Sequence, residues 1–128
     1  GEGSEIAGQI YNSVIGCGVV VGKGTIIRDS IIMRDSTIGE GCMVYKSIVA
    51  ENCELGENVS LGVGEFAPSK LDPKVYAFDL VTIGENSYIP PNVKVGKNTA
   101  ISGVTEEEDY PGGELESGNY IIKAGVSK

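Results

Sequence analysis

Few side chains in this sequence are equipped for chemistry, and their spacing limits what that chemistry can be. Residues 16–24, "GCGVVVGKG", place closely spaced glycines beside Lys23, the composition of a loop that wraps phosphate oxygens. Yet no helical pattern follows, and the glycines recur at Gly39, Gly41 and Gly56. They read as corners of a repeating backbone rather than as a phosphate cradle. The three cysteines, Cys17, Cys42 and Cys53, are an odd number without CxxC spacing, and the chain contains no histidine. Neither a disulfide framework nor a zinc site follows. Cys42 and Cys53 fall on the same step of the aliphatic beat as Thr25, Ser36 and Val59, so small inward packing groups are expected there. Reduced thiols suit a cytoplasmic protein.

Positive charge is the other resource. Ten Lys and Arg stand against eighteen Asp and Glu, a net charge of -8 with a pI near 4.5. That balance excludes a sequence-independent nucleic-acid binder, which needs a basic patch to displace counterions. Arg28 and Lys46 lie one and two residues after Ile27 and Val44, with Tyr45 standing over Arg28. The cluster is a candidate site for a phosphorylated effector, or else a solvated face shared with Asp29 and Asp35. "TEEEDYPGGELESG", residues 105–118, reads as a solvated, turn-rich crossing segment rather than an acid–base pair.

The elements that must position these residues come from an internal repeat. Shifted by 17 residues, the chain sets Ile10 over Ile27 and Val44, Ser13 over Ser30 and Ser47, and Val21 over Ile38 and Leu55. After an interruption the beat resumes at Ile83, Ile89, Val95 and Ile101. A helix would repeat near 3.6 and a lone strand near 2, and neither explains a spacing of five to six. A short strand followed by a bend, three times per coil, does. Stacked coils of about 17–18 residues then place Ile15, Ile32 and Val49 in one inward column. Val21, Ile38 and Leu55 form a second, and Ile27, Val44 and Leu61 a third. Glycine and asparagine follow the aliphatic residues because tight corners call for positive φ. The result is an all-β, single-stranded parallel β-helix whose hand the period leaves open, right-handed crossovers being the default.

"VIGCGV", "VGKGTI", "IGEGCM" and "LGENVS" resemble the hexapeptide repeat of left-handed parallel β-helices, and the left hand enters only through that likeness. Many such helices are acyltransferases whose general base is a histidine, a residue this chain lacks. From about Gly3 to Gly125 the chain more specifically resembles the C-terminal domain of ADP-glucose pyrophosphorylase, glucose-1-phosphate adenylyltransferase. The likeness is carried by "NSVI", "VGKG", "DSIIM", "IGEG", "PKVY" and "VTIGENSYIPPNVKVGKN" in that order. It implies a parent enzyme that transfers AMP from ATP to glucose 1-phosphate with magnesium in glycogen synthesis, using an N-terminal domain whose motifs are absent here. Magnesium and ATP would belong to that domain, so this chain alone is expected to be inactive, with no catalytic residue and no cofactor. The resemblance further implies regulation and assembly, as a homo-oligomer (a tetramer in the parent) or as a hetero-oligomer with a paralogous subunit. The opening "GEGSEIAG" matches the stretch that in relatives lies near an effector pocket, which makes Gly3 and Ser4 candidate effector contacts. An entry segment without ligand is the plainer reading of the same residues. A related sugar nucleotidyltransferase, a non-catalytic paralogue and a stand-alone scaffold remain alternatives.

Organisation follows from the beat. One β-helix domain is expected over 1–128, with coils over about 4–62 and an excursion over 63–80. A further coil spans 81–103, and an acidic tail with a last strand in "NYIIKAG" spans 104–128. The excursion carries Pro68 and Pro73, which cannot donate to a ladder, and Phe66, Tyr76 and Phe78. Those aromatics are either an oligomer contact or packing of the loop onto its own helix. No apolar run is long enough to span a bilayer and no export signal is seen, so a soluble protein without membrane contact is expected. A start at "GEGSEIAG" rather than at methionine reads as a segment cut from a longer protein.

Overall fold

The computed structural model describes residues 3–123. Its first coil comprises β1 (Glu5–Ile6), β2 (Gln9–Tyr11) and β3 (Val14–Ile15). The second holds β4 (Val20–Val21), β5 (Ile26–Arg28) and β6 (Ile31–Ile32), and the third β7 (Thr37–Ile38), β8 (Met43–Tyr45) and β9 (Ser47–Val49). In the fourth, β10 (Glu54–Leu55) and β11 (Ser60–Leu61) are separated by the excursion from β12 (Val81–Ile83). The fifth is β13 (Tyr88–Ile89), β14 (Lys94–Val95) and β15 (Thr99–Ser102). β16 (Glu114–Leu115) and β17 (Tyr120–Ile122) complete the described strands.

Up to β15 every third strand pairs in parallel, and β16 and β17 then pair with β14 and β15, giving one five-stranded and two six-stranded sheets. The middle coils keep a step of 17, as in Val20 with Thr37 and Ile31 with Ile48. Val81 pairs with Thr99, a step of 18, and Lys94 with Glu114, a step of 20. The architecture is the expected all-parallel solenoid, consistent with a left-handed β-helix.

Three aliphatic columns fill the interior. Val21, Ile38, Leu55 and Ile89 form one; Ile27, Val44, Leu61 and Val95 the second; Ile32, Val49, Ile83 and Ile101 the third, all buried. Each such side chain removes its whole apolar surface from water, worth about 1.5–3 kcal/mol. Ile10, Ile15 and Ile121, on the end coils, pack only partly against this core because they have a neighbour on one side alone.

Corners bring backbones close without a ladder bond, and short side chains complete the pairing. The Thr25 hydroxyl donates to the Gly39 carbonyl at 2.6 Å and accepts the Cys42 N–H at 3.1 Å. Ser36 does the same between Ala50 and Cys53. Cys42 and Cys53 are buried on this step, as the beat implied, while Cys17 is exposed. Asn52, Asn58, Asn86 and Asn92 adopt positive φ at the corners, and their amides stack in pairs, Asn52 on Asn86 and Asn58 on Asn92. No helix of the described residues is long and apolar enough to cross a membrane.

The last coil departs from the pattern. Where a strand should continue the first sheet, Val104 makes a single bridge to Tyr88, and two 3-10 turns, Glu107–Asp109 and Pro111–Gly113, replace it. Tyr110 between them is buried, its hydroxyl 2.8 Å from Thr105 Oγ1. The acidic stretch is thus anchored at Tyr110, although Glu106, Glu107 and Glu108 are exposed. Residues 124–128, the end of the expected tail, lie outside those described.

Candidate functional site

Arg28 ends β5 and is held in register between Tyr11 of β2 and Tyr45 of β8. Its guanidinium carbon lies 4.9 Å from the centroid of the Tyr11 ring and 5.9 Å from that of Tyr45. Both are cation–π distances, so the two rings fix the arginine in an extended, solvent-facing pose. Its carbonyl accepts the Lys46 N–H at 3.0 Å, which brings Lys46 to the same corner one coil on. Lys46 has φ 48, a left-handed conformation that elsewhere in this helix falls mostly to Asn, Asp and Gly, and its side chain is exposed. Beneath the corner a hydroxyl column locks the turn: Ser30 Oγ donates to the Arg28 carbonyl, and the Ser47 N–H donates to Ser30 Oγ.

Of the two carboxylates expected beside this cluster, only Asp29 is there, and it accepts a 2.7 Å bond from the Asn12 amide. Asp35 stacks over Gly18 on a different corner. Among the described residues neither Arg28 nor Lys46 is ion-paired; the ion pairs are Arg34 with Glu51 and Lys123 with Asp109. Two unneutralised cations on adjacent coils, with hydroxyl and ring groups around them, can hold an oxyanion through charge-assisted hydrogen bonds.

Gly3 and Ser4 lie elsewhere. The Ser4 hydroxyl donates to the Gly16 carbonyl at 2.9 Å and receives the Val19 N–H at 3.3 Å, the role that Ser36 plays on the same corner two coils on. Gly3 is exposed, with φ 72. The corner entering β1 and the corner leaving β5 are different edges of the triangle, so the four candidates do not form one site. Tyr11 was not singled out from the sequence, although the 17-residue shift that aligns Ile10 with Ile27 also aligns Tyr11 with Arg28.

The titratable groups with displaced pKa values are not tuned for proton transfer near neutrality. Burial pushes the Cys42 thiol up, and burial carries the Tyr110 hydroxyl up to about 12. The hydrogen bond from Lys123 holds Asp109 below its ordinary value, and the same bond raises Lys123. A cleft of about 550 Å³ opens between the excursion and β14–β16, but Glu65, Glu114 and Glu116 face it against Lys94 alone. Its charge opposes a phosphorylated ligand, whereas the Arg28 corner favours one.

Known proteins agree with the sequence pattern. Over 125 residues, 98% of this chain, it is 59% identical to a glucose-1-phosphate adenylyltransferase of Lachnospira eligens. Over 121 residues it is 48% identical to the enzyme of that name from Thermotoga maritima. This chain matches the C-terminal domain of glucose-1-phosphate adenylyltransferase. It spans about 30% of the length of the Lachnospira adenylyltransferase and 29% of the Thermotoga one. The GMPPB C-terminal domain family matches residues 4–64, the first coils of the adenylyltransferase-like helix. A solved structure of PerB from Caulobacter crescentus in complex with CoA and GDP-perosamine covers 98% of the chain at 20% identity and TM-score 0.36, too slight a likeness to argue from.

Proposed function

We propose that this chain is the regulatory and oligomerising domain of a cytoplasmic glucose-1-phosphate adenylyltransferase, which makes ADP-glucose from ATP and glucose 1-phosphate for glycogen synthesis. The observation that carries the reading is the 59% identity running along 98% of the chain while covering only 30% of the relative. The remaining length of such a protein would hold the nucleotide, the sugar phosphate and magnesium. The β-helix supplies rigidity, partner surfaces and the Arg28–Lys46 corner, where a phosphorylated effector binds. The arginine suits this task because its guanidinium is already immobilised on two rings, so little rotamer entropy is lost on binding.

The test measures pyrophosphate release from ATP, glucose 1-phosphate and magnesium, in this chain and in the longer protein containing it. Activity in the longer protein alone, with a phosphorylated-sugar activation that Arg28→Ala weakens by about tenfold or more, is the expected result. Activity with a different nucleotide or sugar phosphate would assign the chain to another sugar nucleotidyltransferase. Inactivity of both would leave a non-catalytic paralogue or a scaffold.

A further inference from the structure

The first coil is open on the side away from the second. Ile6, Ile10 and Ile15 hold inward positions there, in register with Val21, Ile27 and Ile32. Those three partners are at most 1% exposed, yet Ile6 is 43% exposed and Ile10 and Ile15 pack only partly. The register puts all three in one triangular layer, so they share one face. The backbone is open on that face as well. Glu5, Ala7, Gln9, Val14 and Gly16 donate their N–H groups to carbonyls of the second coil. Successive residues of a strand bond to opposite sides, so the N–H and C=O of Ile6, Ile10 and Ile15 point away from it. The far end differs, because Tyr110 and Leu115 of the last coil are buried within the core cluster. A solenoid end with bare aliphatic columns and free ladder edges calls for a covering element.

The corner entering β1 identifies that element. Corners of this helix repeat one pattern, an inward aliphatic residue, glycine, a variable residue, then Gly or Asn at positive φ. It reads "IGCG" at 15–18, "IGEG" at 38–41 and "IGEN" at 83–86, with φ 69 at Gly18, 69 at Gly41 and 59 at Asn86. "GEG" at 1–3 follows the same pattern, and Gly3 has φ 72. Glu5 pairs with Val20, which makes Gly3 the counterpart of Gly18, and the Ser4 hydroxyl bridges the corner to Gly16 and Val19. A corner joins two strands. At Gly18 the incoming strand is β3, of the third sheet, so the strand entering the corner at Gly3 belongs beneath β3. Its last residue, in the place that Ile15 takes before Gly16, is the one directly before Gly1.

We infer that in the longer protein the residues running into Gly1 form a further strand of the third sheet, paired with β3, whose last residue is aliphatic and packs on Ile15. The occupant of the open face is thus the same polypeptide. This chain matches the C-terminal domain of its relatives and spans about 30% of the Lachnospira one, so proteins of that plan have the length to supply it. A tethered strand also meets its edge at an effective concentration of the order of millimolar, well ahead of a second copy. Pairing of this kind makes the junction with the preceding part stiff rather than a free linker. The inference takes from the proposed function only that a longer protein carries this chain; failure of the pyrophosphate or effector assays leaves it standing.

Hydrogen exchange of the longer protein at single-residue resolution tests it without a mutation. The Gly16 amide, bonded to the Ile32 carbonyl at 2.8 Å, is the internal reference. The Ile15 amide should exchange within about tenfold of it; faster exchange at Ile15 overturns the strand. A photo-crosslinking residue in place of Val14, which is exposed and outward on β3, should join to the residues just before Gly1 of the same polypeptide. A crosslink between two polypeptides would give the face to a second copy and overturn the inference. So would a residue other than an aliphatic one directly before Gly1 in the longer sequence.

Discussion

Gly39→Ala should destabilise this helix where Gly24→Asn should not, although both replace a corner glycine. A methyl group added to Gly39 would stand 2.8 Å from the carbonyl carbon and oxygen of Gly56 on the next coil, where ordinary contact begins at 3.4 Å. The obstacle is backbone, already bonded in the ladder through the Gly39 N–H to the Leu55 carbonyl at 3.0 Å, so it cannot swing aside. The two coils must part by about 0.6 Å locally, an overpacking strain of roughly 1–3 kcal/mol. Lower entropy of the unfolded alanine chain offsets about 0.4–1 kcal/mol of this, leaving a net loss near 1.5 kcal/mol. Gly24 has φ +74 and its nearest neighbour is Gly41, 3.9 Å from an added carbon. Asparagine adopts that conformation at six other positions of the chain, so the change there should stay within about 0.5 kcal/mol. Equilibrium urea unfolding measures both, with equal m-values confirming the same cooperative unit. A Gly39→Ala midpoint equal to or above that of Gly24→Asn would refute close coil stacking as the reason for glycine at 39.

Other expectations follow from single contacts. Asp109 pairs with Lys123 at 2.6 Å, and its lowered pKa makes the pair stabilising above the ordinary carboxylate range and progressively lost as pH falls through the folded value. The stability difference between the native chain and Asp109→Asn, read from urea midpoints, should therefore be present at neutral pH, begin to shrink as pH falls below about 4, and vanish only below the lowered folded value; a constant difference would refute the pairing. In native buffer a thiol reagent should label exposed Cys17 and spare Cys42 and Cys53, all three reacting in urea; mass spectrometry counts the adducts. Asn98→Gly keeps the positive φ but removes the amide's bonds to the Ala67 carbonyl and the Asp79 N–H, so proteolysis within 63–80 should quicken at least about tenfold; an unchanged cleavage rate would show the loop to be held otherwise.

Legibility followed the constancy of the step. Where each coil takes 17 residues, a shift of the sequence against itself is the strand register, so Ile15, Ile32 and Val49 were readable as neighbours and are neighbours. The burial of Cys42 and Cys53 was readable in the same way, and the Tyr11–Arg28–Tyr45 stack lay in the same alignment. Beyond Val81 the step becomes 18 and then 20, and the alignment no longer names partners. The buried Tyr110, the Asp109–Lys123 pair and the second anchored strand, β16, escaped for that reason. Ser4 is a candidate effector contact through the resemblance alone, and nothing local in the sequence shows that Gly16 and Val19 consume both of its bonding sides.

The sequence alone determined the solenoid, its three aliphatic columns and the absence of histidine chemistry, since each depends only on residue type and a repeat that local bends enforce. Only the tertiary structure decided that Gly3 and Ser4 stand on a different edge from Arg28 and Lys46. It also decided that one buried amide, Asn98, ties Ala67 to Asp79 across the excursion. Both outcomes depend on which corner faces which, and on bonds between residues up to 31 positions apart, and no period in the chain encodes them.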